Sequence, residues 1–389
     1  MDTTRDGHTG TRVLDVLVIG GGQAGLVTGY HLRSTGFRYE IVEGHARIGE
    51  SWRRRYDSLR LFTPRAYSAL PGLPVAGDPD GYPTKDEIAD YLESYARHFG
   101  LPVRLNTGVR SLERAGDAFR ATMTDGSLVE ARAVVIATGG FQTPTIPTIA
   151  SAFAPAVTQL SAASYWNPAD VPAGMVLVVG DGATGRHIAR ELAPTHGVLL
   201  ATGRPRRPTP AHVLGRSIFW WLDRLGVLRA SRESRIGRRM MAKDPFPGRD
   251  LDLPRLRDVG VTVVPRLVAA EGSTARFADG RSAQVGAIVW ATGYRPETAW
   301  IDIPGVTGPD GGFVHSRGVS PVPGLYVVGQ PWQWTRGSAL LLGVGDDAAY
   351  VTAQLACRLS DPRGRRCQPD VADLLIRGLR GAGAGQSAA

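Results

Sequence analysis

The sequence predicts an α/β fold in which one strand–turn–helix unit occurs twice, the second copy being inserted into the first. Three observations predict it. Two glycine-rich turns, GGGQAG and GDGATG, each follow an apolar strand pattern and precede a helical one. Each copy later holds two short strand patterns around an Asp-Gly turn, at Asp125 and at Asp279. Each copy then ends in an apolar strand that runs into Ala-Thr-Gly, so both copies show the same order of signals.

The composition is that of an ordinary globular protein. The chain has 389 residues, 43% of them hydrophobic, and this length favours two or three domains. Its apolar runs stop well short of the roughly 18 residues that a membrane-spanning helix needs, and its first residues lack a secretory signal pattern. We therefore expect a cytoplasmic location and no membrane partner. The net charge is +9, but no nucleic-acid recognition motif accompanies it, so we expect no nucleic-acid partner. Cys357 and Cys367 do not form a C-x-x-C pair, which excludes dithiol–disulfide reductase chemistry.

The first copy has the features of a pyrophosphate-binding turn. Gly20, Gly22 and Gly25 match G-x-G-x-x-G: the first glycine permits a tight turn, the second lets the backbone approach a pyrophosphate, and the third lets the helix pack on the strand. The N-terminus of the following helix supplies unpaired N–H groups and a positive dipole. The next strand, YEIVEG, ends at Glu43, about 20 residues beyond the first glycine, where a carboxylate can accept both ribose hydroxyls. This copy is predicted to bind a dinucleotide.

The second copy repeats the turn but ends its next strand differently. Gly180, Gly182 and Gly185 again match G-x-G-x-x-G, whereas the strand GVLLAT runs into GRPRR, which begins its arginines at Arg204. A carboxylate there would repel a 2′-phosphate, and arginine pairs with one bidentately, so we expect this copy to bind NADPH. The alternative interpretation is a solvated basic loop.

A nicotinamide site alone suffices for a dehydrogenase, so the acid-tipped copy indicates a second dinucleotide. FAD can accept a hydride from NADPH and pass electrons on singly, in pairs or to dioxygen. We therefore expect an α/β fold with two Rossmann-like dinucleotide-binding domains, the NADPH domain being inserted in the FAD domain. The strand GLYVVGQP and the helix SALLLGVGDDAAYVTAQLACRL would complete the first domain; Asp346 and Asp347 in it are equally compatible with cofactor contact and with first-turn dipole charge. The expected boundaries are a flexible tail 1–12, the FAD domain 13–171 and 296–378, the NADPH domain 172–295 and a disordered tail 379–389.

Nearly the whole chain resembles the flavin-containing monooxygenases, especially the short bacterial members and the plant auxin-forming enzymes. The resemblance is carried by IGGGQAGL, IGESWRRRYDSLRLFTPRAYSALPG, YPTKDEIADYLESYARHFGLPV, VVIATGGFQTPTIP, VLVVGDGATGRHIA, VWATGYRP and GLYVVGQPWQWTRGSALLLGVGDDA. It implies an NADPH-dependent FAD monooxygenase that forms a flavin 4a-hydroperoxide and oxygenates a small organic substrate with dioxygen. The expected cofactor-binding residues are Gly20, Gly22, Gln23, Ala24, Gly25, Glu43, Trp52, Val109, Ala137, Thr138 and Gly139 for FAD, and Gly180, Gly182, Ala183, Thr184, Gly185, Arg204, Ala291, Thr292 and Gly293 for NADPH.

Two positions depart from the family pattern. The family has a histidine four residues ahead of an aromatic residue before the second glycine turn, and here Ser161 stands there with Tyr165 kept. Animal-type enzymes carry an asparagine beside the flavin where this chain has Phe62; the plant-type pattern also lacks it. These departures leave the details of the oxygenation cycle open.

No side-chain catalytic residue is predicted, because in such chemistry the flavin is the reagent. The chain has no GxSxG, HExxH or metal-spaced His and Cys, which disfavours hydrolase and metal chemistry. Trp332, Gln333 and Trp334 are candidates for a pocket wall with a polar handle, although plain core packing also fits the tryptophans. Two other functions stay open: a flavoprotein reductase that passes NADPH electrons to a protein or quinone, and a nucleotide-binding redox sensor without turnover. The sequence does not fix the substrate, and a homodimer stays open.

Overall fold

The computed structural model describes residues 12–203, 209–243, 248 and 251–361. The strands, in chain order, are β1 Arg12–Ile19, β2 Tyr39–Val42, β3 Val103–Arg104, β4 Val109–Ala115, β5 Ala118–Met123, β6 Leu128–Ile136, β7 Thr143–Pro144, β8 Thr158–Ser161, β9 Met175–Val179, β10 Gly197–Ala201, β11 His212–Val213, β12 Arg216–Ser217, β13 Val261–Val264, β14 Leu267–Glu271, β15 Thr274–Phe277, β16 Ser282–Gln284, β17 Ala287–Trp290, β18 Tyr294–Arg295, β19 Ile301–Asp302 and β20 Leu325–Val327. The α-helices are α1 Gln23–Leu32, α2 Glu50–Arg53, α3 Lys85–His98, α4 Ala183–Leu192, α5 Ile218–Arg224, α6 Arg235–Lys243, α7 Leu253–Asp258 and α8 Leu341–Ser360.

The first sheet has eight strands, among them β1 and β20, the first and last strands of the described residues. Its order is β19-β4-β5-β6-β1-β2-β3, with β20 also paired to β6. Strands β6, β1, β2 and β3 are parallel, while β5 runs antiparallel to both β4 and β6. Apolar residues of β1, α1, α3 and α8 form one continuous buried cluster on one face of this sheet. β20 pairs within the first sheet and α8 packs against it, although both follow the second copy in sequence. The predicted insertion of the second domain in the first is therefore confirmed.

The second sheet has five strands, all parallel, in the order β13-β10-β9-β17-β8. Helices α4 and α7 contribute to the buried cluster on one of its faces. Strand β8 pairs with β17 from Thr158 to Ser161, ahead of residue 172, where we expected the second domain to begin. The local pattern around β8 does not show which sheet it joins, because that depends on its distant partner strand.

The internal repeat appears as two similar sets of strands. β5 and β6 form an antiparallel hairpin around Asp125, and β15 and β16 form another around Asp279. β6 and β17 then return to the centres of their sheets beside the strands that lead into the glycine turns. The two Ala-Thr-Gly segments therefore lie at the carboxyl edges of the sheets, where α/β folds bind their ligands.

Two short connections join the copies. β7 and β18 pair antiparallel, so the chain enters and leaves the second copy side by side. Arg55 Nη1 donates to Tyr294 Oη at 2.6 Å, with the guanidinium carbon 4.8 Å from the ring centroid. The Phe141 ring meets the Tyr294 ring edge-on at 5.9 Å. These contacts place the two carboxyl edges near one another. Within the described ranges no helix is both long and apolar enough to cross a bilayer.

Candidate active site

The first glycine turn needs glycine for two different reasons. Gly20 has φ of +110°, and a Cβ there would lie 2.6 Å from the carbonyl oxygen of Ala137. A Cβ at Gly25 would overlap the carbonyl oxygen of Gly20. Gly22 is different: its φ of −80° suits any residue, and a Cβ there would meet nothing within 4 Å. The fold requires Gly20 and Gly25, whereas the open space at Gly22 fits the approach of a pyrophosphate to the backbone.

Glu43 is held at this turn by the backbone. It follows β2 directly, and its Oε2 accepts from Gly21 N–H at 2.8 Å. Its Oε1 accepts from His45 N–H at 2.9 Å and lies 2.6 Å from His45 Nδ1. The carboxylate is thereby oriented while half-buried, and because an ionised carboxylate has about four acceptor positions it retains capacity for ribose hydroxyls. This is the role that the sequence predicts.

Two buried polar atoms near this turn have no partner within the described part of the chain. Ala137 N–H donates to Ile19 O at 2.8 Å, which sets the first Ala-Thr-Gly beside the glycine turn. Next to it, Thr138 Oγ1 is buried without a hydrogen-bond partner, and so is Gln330 Nε2. A Cβ at Gly140 would lie 3.6 Å from Gln330 Oε1, so the two segments meet. Buried polar groups are almost always hydrogen-bonded, so these atoms indicate that a polar ligand belongs here. They fit the polar groups of FAD.

Helix α8 brings its N-terminal end to the same region. Gln23 Nε2, at the start of α1, donates to Ala339 O at 2.8 Å, just ahead of α8. A Cβ at Gly329 would lie 2.7 Å from the Ala24 Cβ, so the segment after β20 packs directly against the start of α1. The predicted FAD residues Gln23 and Ala24 are therefore packed against the returning C-terminal segment. That contact was not predictable from the first copy alone.

Of the two aspartates in α8, only Asp347 is buried. The first turn of α8 carries no acidic residue. The sequence-based alternative that Asp346 and Asp347 are charges at the helix N-terminus, stabilised by the helix dipole, is therefore wrong. Burial raises the pKa of Asp347 to about 6, against the opposing effects of a Ser338 hydrogen bond and the charge of Arg317. Its Oδ2 has no hydrogen-bond partner within the described residues.

The remaining predicted FAD residues lie around the same edge. Trp52 lies in α2 and packs half-buried against the cluster of the first sheet. Val109 begins β4, directly after Gly108, whose Cα would lie 3.7 Å from a Cβ at Gly44. Gly139 has φ of +72° and open space around it. Val109 and Gly139 thus lie near Glu43 and Thr138 respectively, on either side of the turn.

The second glycine turn reproduces the first. Gly180 has φ of +108°, and a Cβ there would overlap the carbonyl oxygen of Ala291, the counterpart of Ala137. A Cβ at Gly185 would overlap Gly180 O. Gly182 caps α4 with φ of −70° and ψ of −178°, close to the −80° and −171° of Gly22 before α1. Ala183 and Thr184 lie in the first turn of α4, and their contact with NADPH stays a prediction. The two turns have the same backbone geometry.

A buried ion pair fixes the neighbouring strand end in the second copy. Asp181 Oδ2 accepts from Arg186 Nη2 at 3.2 Å, and the Arg186 side chain is completely buried. Asp181 Oδ1 accepts from Gly203 N–H at 3.2 Å, which ties the end of β10 to the turn. In the first copy the acid, Glu43, follows the second strand and bonds to the glycine turn. In the second copy the acid lies in the glycine turn and bonds to the backbone after the second strand. Arg204 follows Gly203 and lies outside the described residues.

A cavity of about 330 Å³ opens at the carboxyl ends of β9, β10 and β17. Thr292 lies at its rim, where its Oγ1 donates to Thr145 O, and Thr145 N–H donates to Gly293 O at 2.9 Å. The cavity is lined by Pro147, Ile149, Val179, Gly180, Ala201, Thr202, Gly203, Arg266, Leu267, Trp290 and Thr292. It adjoins the second glycine turn at the place where a Rossmann fold holds an adenosine ribose.

Segments of both copies contact one another at two further places. The Phe62 ring stacks on Phe219 of α5 at 6.2 Å, and Tyr67 lies 5.9 Å from the same ring. Arg232 N–H donates to Trp334 O at 2.7 Å, and Arg232 Nη1 to a neighbouring carbonyl of the same loop. The position of the family asparagine is thus occupied by an apolar contact with the second domain.

The structure also shows the surroundings of two other residues that the sequence singled out. Gln333 is fully buried; its Oε1 accepts from Gln330 N–H at 3.3 Å, while its Nε2 has no hydrogen-bond partner within the described residues, so its role as a polar handle stays a prediction. Ser161 ends β8 with its Oγ 3.1 Å from Ser164 Oγ, in a local turn. Tyr165 is buried and donates to Glu191 Oε2 at 2.9 Å, and burial with that carboxylate raises its pKa.

Sequence reasoning missed Gln330, Arg266 and the Asp181–Arg186 pair. Gln330 lies three residues after the end of β20, a polar residue beyond an apolar strand that a search of strand termini could have found. Arg266 lies two residues after β13 and carries no motif. Asp181 and Arg186 are close in sequence, but only the structure shows that both side chains are buried and that the pair is therefore significant.

Comparison with known proteins finds similar oxidoreductases, among them flavin monooxygenases. The family model described as pyridine nucleotide-disulphide oxidoreductase matches residues 17–209. The "Uncharacterized oxidoreductase CzcO-like" of Geobacillus kaustophilus (strain HTA426) is 45% identical over 340 residues, covering 87% of this chain and 97% of that protein. Indole-3-pyruvate monooxygenase YUCCA1 of Oryza sativa subsp. japonica is 27% identical over 390 residues, covering 90% of this chain and 93% of that protein. The structure of a flavin-containing monooxygenase from Stenotrophomonas maltophilia is 28% identical with a TM-score of 0.75, covering 89% of this chain and 99% of that one.

Proposed function

Because this chain belongs to the flavin monooxygenase-like oxidoreductases that include the CzcO-like proteins, we propose that it is an NADPH-dependent FAD monooxygenase acting on a small organic molecule. One observation carries the proposal most directly. Two glycine turns of matching backbone geometry lie at adjoining sheet edges, and only the first is followed by a strand with a terminal carboxylate, that of Glu43. Two unlike dinucleotides used together are typical of flavin-dependent hydride transfer.

When bound, FAD supplies the chemistry: it accepts a hydride from the nicotinamide and activates dioxygen. The chain's own residues would bind and orient the cofactor and exclude water. The Gly20–Gly25 turn and the N-terminus of α1 would hold the pyrophosphate, and Glu43 would orient the ribose. Thr138 Oγ1 and Gln330 Nε2 would hydrogen-bond polar groups of FAD, since both are buried without partners in the described chain. The contact of Arg232 with the Trp334 carbonyl would restrict water between the copies.

The test measures whether an oxygen atom of dioxygen is incorporated into a product. The FAD-loaded protein is supplied with NADPH, ¹⁸O₂ and, in turn, an amine, a thioether, a cyclic ketone and indole-3-pyruvate, the substrate in the name of a relative. We expect a product that carries one ¹⁸O atom and consumption of one NADPH per product. Gly22→Val, which should lack FAD, is the matched control and should form no labelled product.

The two alternative functions have their own signatures in the same assay. NADPH oxidation with stoichiometric peroxide, or with reduction of a quinone and no labelled product across the panel, would favour a reductase. No NADPH oxidation with any acceptor would favour a redox sensor. Protein that is colourless and cannot take up FAD would end both enzyme hypotheses.

The preference for NADPH over NADH is proposed on the arginines that follow β10. Replacing Arg204 by Ala should raise KM for NADPH far more than KM for NADH, because guanidinium groups pair with a 2′-phosphate that NADH lacks. Steady-state kinetics with both cofactors measures this directly. An equal rise in both KM values would contradict the 2′-phosphate role of Arg204.

A further inference from the structure

We propose that Arg266 recognises the 2′-phosphate of NADPH from the strand beyond β10, as a second specificity determinant. This inference rests on the proposed nicotinamide site but assigns a residue that no sequence motif indicates. Arg266 lines the 330 Å³ cavity beside the second glycine turn, together with Thr202 and Gly203. The cavity therefore has a cationic wall where an adenosine ribose would lie.

Strand order places Arg266 next to the 2′ position. In this fold the pyrophosphate lies at the turn after the first strand, and the end of the second strand faces the ribose 2′-hydroxyl. Here β9 leads into the turn, β10 pairs with β9, and β13 pairs with β10 on the far side. Arg266 follows β13 by two residues, so it is adjacent to the end of β10 on the side away from the pyrophosphate.

The charges around the cavity favour a phosphate. Arg266 is the one charged side chain among the described residues that line it. Its guanidinium makes no hydrogen bond or ion pair with any residue in the described ranges, and it is exposed. The nearby carboxylate of Asp181 is buried and paired with the cationic Arg186, so its negative charge is balanced there and it makes no ion pair with Arg266. A free guanidinium with no competing acid suits a bidentate phosphate contact.

The neighbouring polar groups are already satisfied. Thr202 Oγ1 donates to Val264 O at 3.1 Å, and Gly203 N–H donates to Asp181. They hold the ends of β10 and β13 together rather than compete for a ligand. Arg266 can therefore approach a 2′-phosphate without breaking an internal contact, and its loss should leave the fold unchanged.

The experiment compares two fragments of the cofactor on FAD-loaded protein by calorimetry. 2′,5′-ADP carries the 2′-phosphate and 5′-AMP does not. In Arg266→Ala we expect Kd for 2′,5′-ADP to rise about tenfold to a hundredfold, the range for hydrogen bonds to a charged group, with Kd for 5′-AMP changed less than about twofold. The control is Arg276→Ala: Arg276 is an exposed arginine of the same domain that pairs with Glu271 outside the cavity, and its loss changes the net charge equally. It should leave both Kd values unchanged.

The other outcomes overturn the inference in distinguishable ways. Equal weakening of both nucleotides would mean that Arg266 stacks on the adenine. An unchanged Kd for 2′,5′-ADP would mean that the 2′-phosphate is recognised elsewhere, while the proposed function stands because the wild type still binds the ligand. A wild type that binds neither nucleotide would overturn the nicotinamide site and the inference together. Matching thermal unfolding of the two variants and the wild type checks that each is folded.

Discussion

Replacement of Gly22 by valine separates what the fold requires from what the cofactor requires. The backbone at Gly22 has φ of −80°, and a Cβ there meets no atom within 4 Å. Valine should therefore fit the protein without its cofactor at a cost of about 1 kcal/mol, since it caps a helix less well than glycine. In the FAD complex the same side chain would occupy the space through which the pyrophosphate approaches α1.

The expected loss of FAD affinity is much larger than the loss of stability. Displacing the pyrophosphate would remove at least two hydrogen bonds between backbone N–H groups and phosphate oxygens. At about 1.5–3 kcal/mol each, this weakens FAD binding by about 10²- to 10⁴-fold. The assay is the visible flavin absorbance per protein after purification and after titration with FAD, beside thermal unfolding of the FAD-free protein.

A second glycine provides the control. Gly286 also has room for a side chain, because a Cβ there meets only Met175 O at 3.9 Å, and it lies far from both turns in sequence. Gly286→Val should retain FAD fully. A Gly22→Val protein that purifies yellow with wild-type affinity would refute the pyrophosphate assignment, and one that unfolds many degrees earlier without FAD would refute the claim that the space is open.

Three further changes test the second copy and α8. Gly185→Ala puts a Cβ onto the Gly180 carbonyl oxygen, so we expect a loss of about 1–3 kcal/mol in urea unfolding, with FAD retained; wild-type stability would contradict the overlap. Arg186→Ala leaves the buried Asp181 carboxylate without its cation and should cost about 3–5 kcal/mol by the same measurement, whereas a loss under 1 kcal/mol would show that water compensates. Burial raises the pKa of Asp347 to about 6, above its unfolded value, so the folded protein holds this proton more tightly and loses stability as the pH rises from about 4 to about 6. Asp347→Asn should therefore gain up to about 3 kcal/mol over the wild type at pH 7 and lose that advantage below pH 4; parallel pH profiles of unfolding would rule this out.

Much of the candidate site was predictable from sequence, because its parts are local. Gly20 and Gly25 are fixed by a positive φ and by close packing within a few residues, and such constraints leave a glycine pattern. Glu43 follows its strand at a standard spacing, and the structure holds its carboxylate at the turn. The two Asp-Gly hairpins were also readable, since alternation and turn residues are short-range signals.

The sequence by itself determined two dinucleotide-binding units, their order and the acid that distinguishes the first, since periodicity and turn chemistry act between neighbours along the chain. Only the tertiary structure decided which strand ends lie side by side. It placed β8 in the second sheet, set Gln330 against Gly140 just after the first Ala-Thr-Gly, and brought Arg266 to the cavity beside the second glycine turn. These arrangements depend on pairing between strands that are distant in sequence, and a local pattern does not encode which partner a strand will meet.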